Sequence, residues 1–423
     1  MYDNKKSNPV FKPTGPEMTK KQRIGYQQAL NLTLETISPL KGRELVDPAQ
    51  CPGRAAYEDL FSRVNSPSVD ASMKDGYAVI SEDIARATPQ DPVHSTIIGT
   101  AAAGDPSAET VTPGTAVRIL TGSEIPGGAN GVLAEEFTQR RGKTLIIFNT
   151  AEPGRNILPR GGDVRTGELI ASRGSRLTPG LIGLLVAAGY GKIPVFARPR
   201  IAILATGDEL VMPGQPLPKG KLYASNLEML KAWCLRYGMP TTFSRLEDKK
   251  EIITSKIKEM IVTHDAVLTS GGAWTGDRDF VADTLKSLGW KKHFHSIRIG
   301  PGKPVGFGML DNKPVFLLPG GPPSNLTAFL QIALPGLLRL GGHGDPSLPR
   351  GMAELKQGLE GRHMDWTEFI YGRLETREGR MVFAPLKMSR RLKSMARAQA
   401  LVSIPEGVQS LAAGSMVSVQ LLE

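Results

Sequence analysis

Cysteine is almost absent from this chain. Only Cys51 and Cys234 occur in 423 residues, and they match no zinc or redox spacing. A disulfide framework and a thiolate metal centre are therefore excluded, and the pattern fits a reducing compartment in which both thiols serve packing. Aromatic residues make up 6% of the sequence, which leaves little for stacking nucleobases. The six histidines form no ligand set. His293 and His295 flank Phe294 on an expected strand, where packing or surface roles suit them better than a metal. No apolar run approaches the roughly 20 residues that span a bilayer. The first stretch is polar and broken by proline, without the apolar segment of a secretion signal. Residues 1–20 read as a disordered lead-in to a cytoplasmic protein.

The composition that remains is that of an ordinary globular protein, 40% hydrophobic and 22% charged. A length of 423 residues exceeds one core and suggests about three domains. The formal net charge is +11, from 52 basic against 41 acidic residues, which favours an anionic partner. The basic residues are dispersed, so a phosphorylated small molecule is expected rather than nucleic acid, and no membrane partner is expected.

The most informative stretch is Ala266–Phe280, AVLTSGGAWTGDRDF. An apolar strand runs into Gly271-Gly272 and then into a loop with Asp277, Arg278 and Asp279. Paired glycines let backbone amides approach an anion, and carboxylates can hold the accompanying cation, at the carboxyl edge of an open α/β sheet. Taken alone, the stretch also fits a tight turn before a helix. The pattern recurs. Arg200–Ala205 reads as a buried strand leading into Thr206-Gly207-Asp208-Glu209, and Pro314–Leu318 as a strand ending in Pro319–Ser324. Helices are expected over Asn226–Tyr237, Glu251–Thr263 and about 325–338, with a strand at Thr241–Arg245. Strands alternating with helices predict βαβ architecture with a mostly parallel sheet, whose glycine-rich loops gather along one edge.

Upstream, Tyr26–Ile37 reads as an amphipathic helix, and a second helical piece is expected around Gly53–Phe61. From there to about Asn149, short strands separated by glycine and proline turns predict a small β-domain. Asp75-Gly76 carries a turn signal that fits a hairpin tip. Glu135 and Glu136 are expected on a strand, pointing to opposite faces, which argues against a shared metal site. Arg155–Asp163 combines two arginines, a double glycine and an acid, which suits an anion or a solvated turn at a domain junction. Thr178 and Pro179 predict the start of a helix that runs to about Gly189. After residue 340 the pattern returns to strands and turns, with the basic run Ser389–Ser394.

Eight of these segments, ASMKDGYAV, RILTG, PRGGDV, LATGDEL, TSGG…GDRDF, GPGKP, LPGGPPS and SRRLKSMARAQALV, occur in the order found in the molybdopterin molybdotransferases. That family includes bacterial enzymes and the second catalytic domain of gephyrin. The chain resembles it from about Gln22 to the C-terminus. The resemblance implies a multidomain α/β plus β protein. Residues 21–60 and 155–198 would form an elongated first domain, and 61–154 a small inserted β-domain. Residues 199–342 would form the central α/β molybdopterin-binding domain, and 343–423 a C-terminal β-barrel-like domain.

The resemblance further implies insertion of molybdate into adenylylated molybdopterin, with Mg2+-dependent hydrolysis of the adenylate and release of AMP. The family's homodimer places the active site between subunits, and the upstream adenylyltransferase and apo-molybdoenzymes are implied partners. On this basis Glu209, Asp248 and Asp279 belong to a phosphate-and-metal centre, with Asp208 and Asp277 beside them. Asp75, Thr121 and Asp163 match positions in the partner-side wall. Thr206, Gly207, Ser270, Gly271 and Gly272 would contact the nucleotide or pterin phosphate. Pro319, Pro322 and Ser324 would shape the molybdate end, and Lys303 would hold an anion.

Three positions depart from the family pattern. Gly300 stands where a lysine is usual, Gly321 where an asparagine is usual, and Lys74 is inserted between Met73 and Asp75. Three other readings compete with the transferase. One is the molybdopterin adenylyltransferase, which shares the TSGG-type domain. Another is a non-catalytic paralogue that binds or carries the pterin, and the last is a basic nucleic-acid binder.

Overall fold

The computed structural model describes residues 23–271, 280–387 and 391–422. The expected lead-in over residues 1–20 lies outside the described residues. Contacts divide the chain into two compact units. One is built from Arg198–Gly341, Asp345–Glu423 and the stretch up to Leu40; the other is Lys41–Ala197 with Gly342–Gly344. Among the described residues, no helix is long and apolar enough to cross a membrane.

The first unit is organised on a six-stranded sheet in the order Thr241–Leu246, Ile201–Thr206, Ala266–Ser270, Lys313–Leu318, Gly306–Leu310, Lys291–His295. The first four strands are mutually parallel, and Gly306–Leu310 runs against both its neighbours. Central strands buried on both faces need apolar side chains at every position. Residues 201–205 and 266–268 meet that need, and both strands are buried throughout, turning polar only at their carboxyl ends with Thr206, Thr269 and Ser270. Successive side chains go to opposite layers. Ile201 and Ile203 pack with the helix Ser225–Arg236 and the helical run Pro322–Leu340, while Ala202 and Leu204 pack with Lys250–Thr263.

The Pro322–Leu340 run widens to π spacing over Phe329–Ala333. It also faces the C-terminal barrel. In that barrel Thr367–Arg377, Arg380–Pro385, Arg350–Leu355, Met416–Leu421 and Ala400–Ile404 pair in sequence, and Ala400–Ile404 pairs back to Thr367–Arg377 to close the ring. Phe369, Tyr371, Leu401 and Leu422 join the same core as Phe316 and Leu318 of the α/β sheet. Three hydrogen bonds join the helical run to barrel strands: Thr327 Oγ1 with Tyr371 Oη at 2.9 Å, Gln331 Nε2 to Gln420 Oε1 at 2.7 Å, and Gln420 Nε2 to Gln331 Oε1 at 3.2 Å. A buried hydroxyl or amide left unpaired costs about 1–3 kcal/mol, so these pairs fix register as well as satisfying polarity. The N-terminal helix Tyr26–Thr36 packs into this core through Ala29, with Ile37 just beyond its end, rather than with residues 41–60, with which the sequence groups it.

In the second unit, three antiparallel ladders tie the chain before the small β-domain to the chain after it. Arg43–Val46 pairs with Ile193–Phe196, Leu60–Phe61 with Leu169–Ala171, and Ala71–Ser72 with Ile157–Leu158. The β-domain itself is a six-stranded sheet in the order Gly131–Ala134, Gly76–Val79, Thr115–Ile119, Val93–Ala101, Thr144–Ile147, Thr138–Arg141. Thr178 caps the helix Pro179–Ala187 by accepting the Leu181 N–H at 3.3 Å. Both cysteines are buried and free, and burial pushes the Cys234 thiol up to about 12, which makes it inert packing.

Three expectations are corrected. No helix forms around Gly53–Phe61; a short 3₁₀ turn at Pro48–Gln50 precedes it and a two-residue strand, Leu60–Phe61, ends it. Long-range pairing of Leu60–Phe61 with Leu169–Ala171 overrides the local helical pattern there. Asp75-Gly76 is not a hairpin tip. The strands on either side pair with different partners, Ala71–Ser72 with Ile157–Leu158 and Gly76–Val79 with Thr115–Ile119 and Gly131–Ala134. Glu135 and Glu136 occupy a 3₁₀ turn rather than a strand, because the ladder ends at Ala134 and the Glu135 N–H turns to the Asp75 carbonyl at 3.0 Å.

Closure of the barrel depends on a side chain that is missing. A Cβ on Gly372 would lie 2.2 Å from Cζ of the fully buried Phe383 ring. Gly372→Ala is therefore expected to destabilise the chain by about 1–3 kcal/mol through overpacking. Urea denaturation checks this as a lowered midpoint.

Candidate active site

A cavity of about 950 Å³ opens in the first unit where the carboxyl ends of the parallel strands meet the barrel. Its floor is made of strand-end loops. Thr206, Gly207 and Glu209 follow the first strand, Asp248 follows Thr241–Leu246, and Gly271 follows Ala266–Ser270. Pro319, Gly320, Gly321 and Ser324 follow Lys313–Leu318. The chain leaves Ile201–Thr206 for the strand on one side and later returns on the other. The crevice therefore lies at the switch point of the sheet, where open α/β folds bind ligands.

Backbone contacts make the floor tight. Gly271 has φ +97°, and a Cβ there would fall 2.5 Å from the Thr206 carbonyl oxygen. Its N–H donates to the Leu318 carbonyl at 3.1 Å. Only glycine satisfies both conditions, so the three loops can converge. Asp208 ties two of them together, since its Oδ1 accepts the Asp248 N–H at 3.3 Å and Lys221 Nζ donates to its carbonyl at 2.8 Å.

The opposite wall comes from residues 299–304 and the barrel, including Lys303, Glu360, Arg362, His363, Trp366, Glu368 and Arg391. Lys303 Nζ sits 5.8 Å from the centre of the Trp366 ring, which packs at 5.0 Å against His363. Glu368 is nearly buried and accepts the backbone N–H of Arg362 at 2.6 Å and of His363 at 3.1 Å, which fixes the loop that carries them. The floor thus carries the carboxylates of Glu209 and Asp248, and the far wall Lys303, Arg362 and Arg391 alongside Glu360 and the backbone-bonded Glu368. A cleft of that polarity suits a compact anion accompanied by a cation.

Of the residues singled out in the sequence, Thr206, Gly207, Glu209, Asp248, Gly271, Lys303, Pro319 and Ser324 line this cavity. Asp208 and Ser270 support it from behind, Ser270 Oγ accepting Asn325 Nδ2 at 3.1 Å. Pro322 begins the following helix, and its neighbour Pro323 is the one that lines the cavity. Gly272, Asp277 and Asp279 lie outside the described residues. Gly300 also lines the cavity, and a Cβ there would approach Glu368 Cγ to 3.3 Å. At Gly321 a Cβ would meet nothing within 4 Å, so that departure leaves open space.

Asp75, Thr121 and Asp163 belong to the second unit. There Asp75 Oδ1 accepts both the Thr121 N–H at 2.7 Å and the Thr121 hydroxyl at 2.8 Å. These two bonds, the backbone one first, hold the exposed Asp75 carboxyl below the usual aspartate range, with Arg118 adding to the effect. Asp163 is held through its backbone N–H, which donates to the Ser66 carbonyl at 2.9 Å.

The barrel wall was illegible in the sequence. Arg391 falls in the noted basic run, but Arg362, His363, Trp366 and Glu368 come from a stretch with no periodic or motif signal. The close run of Arg362, His363 and Trp366 was the one available hint.

A doubly covered α/β sheet whose carboxyl edge faces a barrel across a polar cleft defines an α/β protein with its candidate site at the switch point. Comparison with known proteins is more particular. Residues 24–189 match the MoeA N-terminal region (domain I and II), residues 202–339 a probable molybdopterin binding domain, and residues 362–422 the MoeA C-terminal region (domain IV). The chain is 32% identical over 376 residues to molybdopterin molybdenumtransferase 2 of Mycobacterium tuberculosis, covering 88% of this chain and 93% of that protein. It is 33% identical over 327 residues to molybdopterin molybdenumtransferase of Haemophilus influenzae, covering 75% and 78%. The crystal structure of the molybdopterin biosynthesis MoeA protein from Pyrococcus horikosii matches with a TM-score of 0.75 at 33% identity, covering 95% of this chain and 100% of that one. The chain belongs to the molybdopterin molybdenumtransferase family, as its ordered motifs imply.

The Asp75–Thr121 pair has a measurable signature. A carboxyl depressed in the folded state contributes stability above its unfolded value, and that contribution is lost as pH falls through the folded value. Thr121→Val removes the hydroxyl donor and keeps the N–H, so the Asp75 carboxyl is expected to titrate at higher pH than in the wild type. Carboxyl-carbon NMR titration of both forms measures the shift, and no upward movement contradicts it.

Proposed function

We propose that this chain inserts molybdate into the dithiolene of adenylylated molybdopterin, in the cytoplasm, with hydrolysis of the adenylate and release of AMP. The observation that carries this reading is the cavity at the strand ends, with its acidic floor and a far wall that carries Lys303, Arg362 and Arg391. Both substrates are anions, and each has complementary groups there. The glycine-rich loops offer backbone amides without Cβ obstruction, and Lys303 offers a cation beside them.

Hydrolysis breaks the phosphoanhydride P–O–P bridge: water attacks one phosphorus, the bridging oxygen leaves with the other, and the products are AMP and the loaded pterin with its own phosphate retained. Glu209 and Asp248 supply hard carboxylate oxygens, which fit Mg2+. Among the described residues, no three acidic, histidine or cysteine side chains cluster as ligands. Mg2+ usually takes one or two carboxylates and completes its shell with water and substrate phosphate, so this donor set is adequate. When bound, the ion would polarise phosphoryl oxygens and offset the charge that accumulates during hydrolysis. Asp277 and Asp279 are proposed as further donors. Thr206, Gly207, Ser270, Gly271 and Gly272 would orient the phosphates, while Pro319, Pro322 and Ser324 shape the molybdate end.

The proposal includes a homodimer in which Asp75, Thr121 and Asp163 of one chain complete the site of the other, as the resemblance implies. An adenylyltransferase would supply the substrate and apo-molybdoenzymes would take the product.

AMP release from adenylylated molybdopterin, with and without Mg2+ and molybdate, tests the reading. Release is expected to require both. Glu209→Gln and Asp248→Asn should each slow it on the order of 100-fold, the scale of losing one electrostatic contact to a developing charge. Retention of the adenylate by the wild type under all conditions would remove the transferase and leave a pterin-binding protein.

A further inference from the structure

Two asparagines outside the cavity lining hold its glycine-rich loop from behind. Asn226, in the helix Ser225–Arg236, donates its side-chain amide to the Gly320 carbonyl at 2.7 Å. Asn325, fully buried, donates its amide to the Pro319 carbonyl at 2.8 Å and to Ser270 Oγ at 3.1 Å. Consecutive carbonyls of one loop are therefore each gripped by a primary amide. In both asparagines the Oδ1 atom is buried with no partner among the described residues. An unpaired buried acceptor carries a desolvation cost, so the amides are oriented for the loop carbonyls and not for their own full satisfaction.

The consequence follows from peptide geometry. The Pro319–Gly320 and Gly320–Gly321 peptides are trans, so in each the C=O and N–H point in opposite directions. Drawing the two carbonyls toward the asparagines directs the N–H groups of Gly320 and Gly321 the other way. Both glycines line the cavity, and neither N–H meets an acceptor among the described residues. Two adjacent unsatisfied donors on a wall without Cβ obstruction make a recess for an oxyanion.

We propose that Asn226 and Asn325 are positioning residues, a two-amide clamp that presents the Gly320 and Gly321 N–H groups to an oxyanion of the substrate. The identity of that oxyanion, molybdate or a phosphate of the adenylylated pterin, rests on the function proposed above. The clamp itself does not touch substrate.

The test uses the full-length protein and two probes, inorganic pyrophosphate and molybdate, titrated by calorimetry. Asn226→Ala removes the donor at a half-buried position, and Asn226→Asp removes it with the same shape should the alanine variant fold poorly. Both variants are expected to bind at least one probe about tenfold or more weakly, with thermal midpoints close to the wild type. Hydrogen exchange should show faster exchange of the Gly320 and Gly321 amides in the variants and unchanged exchange in the central strands. A purely structural asparagine would instead lower the midpoint without selectively weakening anion binding. Wild-type affinity retained in a folded Asn226 variant overturns the clamp, as does a wild type that binds neither probe. If the wild type binds a probe tightly and the variants lose it, yet no AMP is released, the clamp stands and the transferase reading falls.

Discussion

The strands Ile201–Thr206 and Ala266–Ser270 carry apolar side chains on both faces, and burying both faces is the constraint on which the first unit depends. Each Ile or Leu side chain taken from water contributes roughly 1.5–3 kcal/mol, far more than any single loop contact. Helices must therefore lie on each side of the sheet. The Pro322–Leu340 run is itself buried along nearly its whole length, so it needs cover on its other side as well. The barrel supplies that cover through Phe369, Tyr371 and Leu401. The cavity is a by-product of this arrangement, because stacking the barrel against the helical layer leaves its loops beside the strand ends.

What turns a crevice into a site is the polarity of its two walls. The sheet edge contributes short loops whose glycines let backbones approach, as at Gly271 over the Thr206 carbonyl. It also contributes the carboxylates of Glu209 and Asp248. The barrel contributes Lys303's neighbour Trp366 together with Arg362, His363 and Arg391. Glu368 and the two asparagines show a further level of organisation, in which buried polar side chains grip backbone and leave chemistry to others.

The second unit solves a different problem. The small β-domain is inserted in the chain, and three short ladders carry the chain out to it and back. Each ladder is only two to four residues long, so it needs side-chain cover. Leu60, Val164, Leu185 and Val195 provide a common core for the returning strands. At the far end of this path Asp75 is pinned by Thr121, although the two are 46 residues apart in sequence. The bond explains how a carboxylate following a turn can be held rigidly at the entry to a strand.

Much of the α/β unit was legible in the sequence, because its signals are local and periodic. The apolar strands, the glycine-rich breaks after them and the helices between them all follow from patterns within about ten residues. The glycine-rich floor at Thr206, Gly207 and Gly271 was legible for the same reason, whereas Glu209 and Asp248 were expected at the site through the family resemblance. Tertiary structure decided what depends on distant partners. Leu60–Phe61 became strand and not helix because Leu169–Ala171 lies beside it, and Glu135 left the ladder to reach the Asp75 carbonyl. The barrel wall and the asparagine clamp were equally invisible, since Arg362, Trp366, Asn226 and Asn325 acquire their roles only from what folding places opposite them. Sequence by itself determined which segments must be buried and where the backbone must pass without a side chain. Tertiary structure decided which polar groups face one another, because hydrogen bonds are short and directional and chain connectivity does not encode their partners.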